Sequence, residues 1–161
     1  MTHSWYENTA RGRIEALLDM GSFEEFLPPE ERVTSPHLRQ LETPAAFDDG
    51  VIVGRGAIGG RRVLLAAQEG AFMGGAVGEV HGAKIVGLLE RTLDARPDAL
   101  LLLVESGGVR LHEANAGLIA ISEIMRAVLR LRGAGVPVLV LDGGQYGCFG
   151  GMGSSPACAM P

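Results

Sequence analysis

Two apolar runs, Ala99–Val104 and residues 136–141, each open directly into a glycine stretch, and a long segment of helical pattern lies between them. The first is followed by Gly107-Gly108. The second is followed by six glycines between Gly143 and Gly153. Runs this apolar read as buried strands, and a helix between two such strands implies a crossover and parallel pairing. Both glycine loops then fall at the same end of the sheet. With little side-chain cover they expose backbone N–H groups, which suit a developing negative charge. The pattern predicts an α/β fold with its site on one rim, built from amides more than from side chains.

The rest of the chain extends this unit. Residues 10–20 read as a helix with Ile14, Leu17 and Leu18 on one face, stopped at Gly21. Residues 28–44 are polar, carry four prolines and read as an arm lying over something else. Residues 51–53 and 62–67 read as a hairpin joined across 54–60, followed by a glycine loop over 70–78. A helix is predicted over Glu79–Ala95 with Ile85, Val86, Leu89 and Leu93 as its stripe. A second is predicted over 113–132, with Leu118, Ile121, Met125 and Val128 facing the core and Glu123, Arg126 and Arg130 facing solvent. The organisation expected is one domain over 1–161, with 1–48 as an N-terminal helix and extended arm.

Composition narrows the function. A net charge of −5 with scattered Lys and Arg argues against a nucleic-acid surface. No apolar run approaches the ~20 residues that span a bilayer, and the first residues lack the organisation of an export signal. Two cysteines without a Cys-x-x-Cys pair fit a reducing cytoplasm, so the location expected is cytoplasmic.

Several motifs compete with the amide loops. Gly54-Arg-Gly-Ala-Ile-Gly59 matches a dinucleotide fingerprint, but the following strand ends at Gly70 without the helix that fingerprint needs, so a hairpin turning at Gly59-Gly60 accounts for it better. His112-Glu113 begins like a zinc-protease motif, yet Ala116 stands where the second histidine belongs. His81 and His112 lie near helix starts and read as capping or packing residues. Cys148 lacks a neighbouring base. Glu105-Ser106 reads as orienting the loop that follows it.

Phe72-Met-Gly-Gly-Ala-Val-Gly-Glu-Val-His-Gly-Ala-Lys-Ile85, Glu105-Ser-Gly-Gly-Val-Arg-Leu-His-Glu113 and Gly147-Cys-Phe-Gly-Gly-Met-Gly153 together resemble the carboxyltransferase branch of the crotonase superfamily. Within it, the nearest likeness is to beta subunits of biotin-independent malonate decarboxylases, which Arg13-Ile-Glu-Ala-Leu-Leu-Asp-Met-Gly-Ser-Phe23 also suits. The resemblance implies a crotonase-like spiral of ββα units. It further implies a gamma partner subunit and a malonyl thioester carried by an acyl carrier protein on a coenzyme-A-derived prosthetic group, with no cofactor bound covalently to this chain. Loss of CO2 would leave an enolate held by paired amides. Gly150 and Gly151 match the family's oxyanion loop, and Gly107 and Gly108 match the loop beside the acyl group.

Family members continue beyond the position of Pro161, so the spiral is expected to be incomplete at the C-terminus. The tail after Gly153 is expected to interrupt the helix due there, because Pro156 suits a helix poorly. Two alternatives remain beside the decarboxylase reading: a subunit of a biotin-dependent acyl-CoA carboxyltransferase, and a non-catalytic subunit that only binds its partner.

Overall fold

The computed structural model describes residues 4–31, 34–42 and 49–159. The expected arm and tail therefore lie partly outside the described residues, at 32–33, 43–48 and 160–161. Helix α1 (Ala10–Leu17) starts at Thr9, whose hydroxyl accepts the Gly12 amide at 3.1 Å. Strand β1 (Glu24–Glu25) and short helix α2 (Pro36–Gln40) follow.

Strands β2 (Val51–Ile58) and β3 (Arg61–Gln68) pair antiparallel along their whole length. They run longer than the sequence pattern predicts, because the turn is only Gly59-Gly60. Both turn residues have positive φ (55° and 75°), as a two-residue hairpin requires. The Asp19 carboxylate accepts their amides at 2.9 and 2.8 Å. Gly54 and Gly56 lie within β2 for reasons of space. A Cβ on Gly54 would stand 2.5 Å from the Glu24 carbonyl oxygen, and one on Gly56 would stand 2.5 Å from Leu18 Cδ1. The apparent fingerprint is thus a strand over which other backbone and side chains pass closely.

Helix α3 (Glu79–Ala95), strand β4 (Ala99–Val104), helix α4 (Asn115–Gly133), strand β5 (Val138–Asp142) and helix α5 (Gly150–Ala159) complete the order. The sheet runs β1-β2-β3-β4-β5, with β3, β4 and β5 mutually parallel, as the crossovers predict.

The strand residues alternate between two cores. Val51, Val53, Leu64, Ala66, Leu100, Leu102 and Val104 face α3, α4 and α5. Ile52, Val63, Leu65, Ala67, Leu101 and Leu103 face the other side, where Ala10, Ile14 and Leu18 cover them. Helices α3 and α4 approach closely at Gly82, where a Cβ would collide with that of Ala120. This contact rotates α4 from the expected face. Ile121 and Val128 are buried and Met125 packs against the core, but Leu118 is 57% exposed, and Ala120, Ile124 and Leu131 take the inner stripe.

Pro156 does not interrupt α5, contrary to expectation. It has no N–H to give the carbonyl one turn back. The helix forms because Met152 is buried, and Cys158 packs, against the core that α4 completes.

Candidate active site

The carboxyl ends of β3, β4 and β5 deliver three loops to one rim. Two minimal parallel bridges tie them, Ser106 to Cys148 and Val77 to Val109. Ser106 N–H donates to the Gly147 carbonyl at 2.7 Å, and Phe149 N–H donates to the Ser106 carbonyl at 2.8 Å. On the other side Val77 N–H donates to the Gly108 carbonyl at 2.9 Å, and Arg110 N–H donates to the Val77 carbonyl at 3.0 Å. Gly107 and Gly108 are therefore strung between the two neighbouring loops.

The four glycines singled out from sequence meet here in different roles. Gly107 N–H donates to the Gly74 carbonyl at 2.8 Å and clamps the loop. Gly108, at φ 130°, donates to Ser106 Oγ at 3.2 Å, a long contact for N–H···O. Gly150 and Gly151 open α5, at the end of a helix where backbone donors and the positive dipole are concentrated. Gly150 has φ 57°, and a Cβ there would stand 3.2 Å from Gly108 Cα. The first turn of α5 thus abuts the Gly107-Gly108 turn directly.

Beneath the rim lies a buried polar network. Arg110 stands 1% exposed in its side chain. Its Nη1 donates to both Asp49 carboxylate oxygens at 2.9 Å and to Glu113 Oε1 at 3.0 Å. Its Nη2 donates to the Asp49 carbonyl at 2.7 Å, and its Nε to the Ala76 carbonyl at 2.9 Å. Two carboxylates on one guanidinium leave an excess negative charge, which the start of α3 accepts. Asp49 takes the His81 amide at 2.8 Å and Glu113 takes the Glu79 amide at 2.5 Å, so two distant acids cap a helix whose own N-cap is Gly78. Burial pushes the Asp49 carboxyl above its usual range, with Arg110 pulling against it.

His81 is fully buried. Its Nδ1 lies 3.1 Å from the Asp49 carbonyl, which assigns the proton to Nδ1, and its Nε2 accepts from the Gln68 amide at 3.0 Å. Burial first, then Arg110, pushes its pKa down to about 3, so it is a neutral packing residue, as read from sequence. Gln68 also accepts the Glu105 amide at 3.3 Å. The Glu105 carboxylate pairs with Arg13 of α1, both buried, inside a slot walled by Gly70 and Gly144. The pair ties the residue before Ser106-Gly107 to α1.

His112 is exposed. Burial and Asp142 push the Cys148 thiol up, away from a reactive thiolate. Among the described residues no group of three His, Cys, Asp or Glu side chains is arranged to hold a metal, and no helix is long and apolar enough to cross a membrane. Sequence reasoning missed Asp49, Arg110 and Arg13. For Arg110 the signal was a lone charge between apolar neighbours, Val109-Arg110-Leu111, meaningless until its partners converge; Asp49 and Arg13 sit beside other charges and carry no such signal.

Residues 2–160 match the carboxyl transferase domain family. A malonyl-S-ACP:biotin-protein carboxyltransferase of Malonomonas rubra is 43% identical over 93% of this chain and 51% of its own length. The crystal structure of a Pseudomonas malonate decarboxylase hetero-tetramer in complex with malonate superimposes with a TM-score of 0.92 at 47% identity, over 97% of this chain and 58% of that one. The transcarboxylase 12S structure with methylmalonyl-coenzyme A bound follows, with a TM-score of 0.82 at 32% identity over 95% of this chain and 29% of that one. The chain therefore spans about half the length of the first of these relatives, and less of the transcarboxylase.

Proposed function

The chain belongs to the carboxyl transferase family, with a crotonase-like α/β fold of the malonate decarboxylase kind, and on that premise we propose that it is a beta-type subunit releasing CO2 from a malonyl thioester. The substrate would be presented on the coenzyme-A-derived prosthetic group of an acyl carrier protein, with a gamma-type subunit completing the enzyme. In the reaction the bond between the α-carbon and the carboxylate breaks. Its electron pair moves into the thioester as an enolate, CO2 leaves, and a proton added to the α-carbon yields the acetyl thioester.

The observation that carries this reading is the direct contact of the Gly108 turn with the first turn of α5 at Gly150. The closeness of these two turns supports a site in which backbone donors from both elements would stabilise the negative oxygen of an enolate. Each aimed donor lowers such a barrier by about 3 kcal/mol. Gly107 is committed to Gly74, so the donor from this loop is the Gly108 amide, released from its long contact with Ser106 Oγ. Gly150 and Gly151, at the start of α5, stand on the opposing side.

The test is CO2 release from malonyl-loaded carrier by this chain co-expressed with a gamma subunit, beside a version extended to the length of its relatives. Release by neither refutes the reading. The Malonomonas rubra relative favours a second one, in which the carboxyl group passes to a biotin-protein. Avidin sensitivity of the reaction would select that alternative.

A further inference from the structure

We propose that Arg110 is the positioning residue of the amide site. It acts by fixing the place of the Gly108 N–H, and the inference rests on the decarboxylase reading above. Arg110 is two residues beyond Gly108, and its side chain turns away from the rim into the protein. There it meets the elements that hold one side of the Gly107-Gly108 turn, the 72–78 loop and the starts of β2 and α3. Nε takes the carbonyl of Ala76, the residue before the Val77 bridge. Nη2 takes the carbonyl of Asp49, next to the start of β2. Nη1 takes the carboxylates of Asp49 and Glu113, which hold the first amides of α3. The guanidinium also lies 5.1 Å from the Phe72 ring centroid.

Backbone and side chain of Arg110 thus grip the 72–78 loop from both sides, since its own N–H donates to Val77. That loop in turn supplies Gly74, the acceptor for Gly107, and Val77, the donor to the Gly108 carbonyl. Register passes from the buried fork to the turn across Val109 alone. A point charge at position 110 would still neutralise Asp49 and Glu113. Only a planar fork reaches the Ala76 and Asp49 carbonyls at the same time. Charge balance and positioning are therefore separable.

The experiment is Arg110→Lys in the assembled complex, with steady-state CO2 release, thermal melting and amide hydrogen exchange measured on the same preparation. Lysine keeps the charge and loses the fork, so kcat is expected to fall at least tenfold with KM changed less than twofold. Exchange at Gly107 and Gly108 should accelerate while β3 and β4 stay protected. An unchanged kcat overturns the proposal. So does a fall matched by the loss of folded protein, with exchange accelerated throughout the sheet. If Arg110→Lys does not fold, Phe72→Leu keeps every hydrogen bond of the fork and removes only the ring beside it. A kcat lowered about threefold at constant KM is then expected, and wild-type kcat overturns the proposal. Absence of CO2 release by the unaltered complex would count against the decarboxylase reading alone, because the exchange comparison still tests whether Arg110 orders the turn.

Discussion

Gly117 sits in the first turns of α4, against the bridge that holds the Gly107-Gly108 loop. A Cβ there would stand 2.5 Å from Val109 Cγ1 and 2.7 Å from the Val77 carbonyl oxygen. Gly117→Ala therefore sets two effects against each other. Alanine favours the helix by up to about 1 kcal/mol over glycine. The Val77 oxygen, however, belongs to the backbone and already accepts the Arg110 amide at 3.0 Å, so it cannot swing aside. Relief requires α4 to move from the bridge by about 0.7 Å, and overpacking of this kind costs about 1–3 kcal/mol. At the middle of these ranges overpacking wins by about 1 kcal/mol, or a Tm lower by about 2–4 °C for a chain of this size. The displaced bridge carries Gly108, so kcat should also fall by about tenfold to a hundredfold. Thermal melting and CO2 release of the same preparation test both arms. Adding Val109→Ala removes the nearer of the two obstacles and should recover part of the Tm. A raised Tm with unchanged kcat for Gly117→Ala alone would refute the reasoning, since propensity would then have won.

Three further outcomes are expected. Gly150→Ala forces a side chain into a φ of 57° and against Gly108 Cα; kcat should fall about a hundredfold, as read by CO2 release. Arg13→Met leaves Glu105 buried without its cation, and urea unfolding should show a loss of about 3–5 kcal/mol, reduced when Glu105→Gln is added. His81 is held neutral among Asp49, Gln68, Arg110 and Lys84, with its pKa pushed down to about 3. The unfolded chain binds the extra proton below about pH 6.5, so this contribution to stability is complete above that and is lost as pH falls, by up to about 1.4 kcal/mol per pH unit. Unfolding free energies between about pH 6 and 5 should fall less steeply for His81→Gln than for the natural chain.

The layout of the parallel strands was legible because it depends on local pattern. Helix α3 and strand β4 match the predicted ranges, since each is bounded by its own punctuation, Gly78 and Pro97 for the helix and Gly107 for the loop after the strand. The four glycines of the rim were visible for the same reason. What could not be read was which amides are already engaged: Gly107 donates to Gly74 across a sequence gap that no local pattern reports. The inner face of α4 was misjudged at Leu118 because hydrophobicity alone does not reveal that Gly82 lets Ala120 come closer than any leucine could. Pro156 was judged by its local effect on a helix, whereas docking of Met152 and Cys158 decides. The network around Arg110 joins positions 49, 76, 81 and 113, and exists only after the chain has closed on itself.

The capping of α3 by Asp49 and Glu113 bears on how the chain folds. A helix with its own N-cap side chain can begin to form while the rest of the polypeptide is still unstructured. Here Gly78 offers none, and the two carboxylates that receive the first amides arrive from opposite directions along the chain. The start of α3 is therefore completed only when the segment leading into β2 and the loop after β4 have both come home. That exchanges a local, rapid event for one that waits on long loop closures. On a ribosome the last of these partners emerges well after the helix itself, so the amino end of α3 stays frayed until Arg110 and Glu113 have left the exit tunnel.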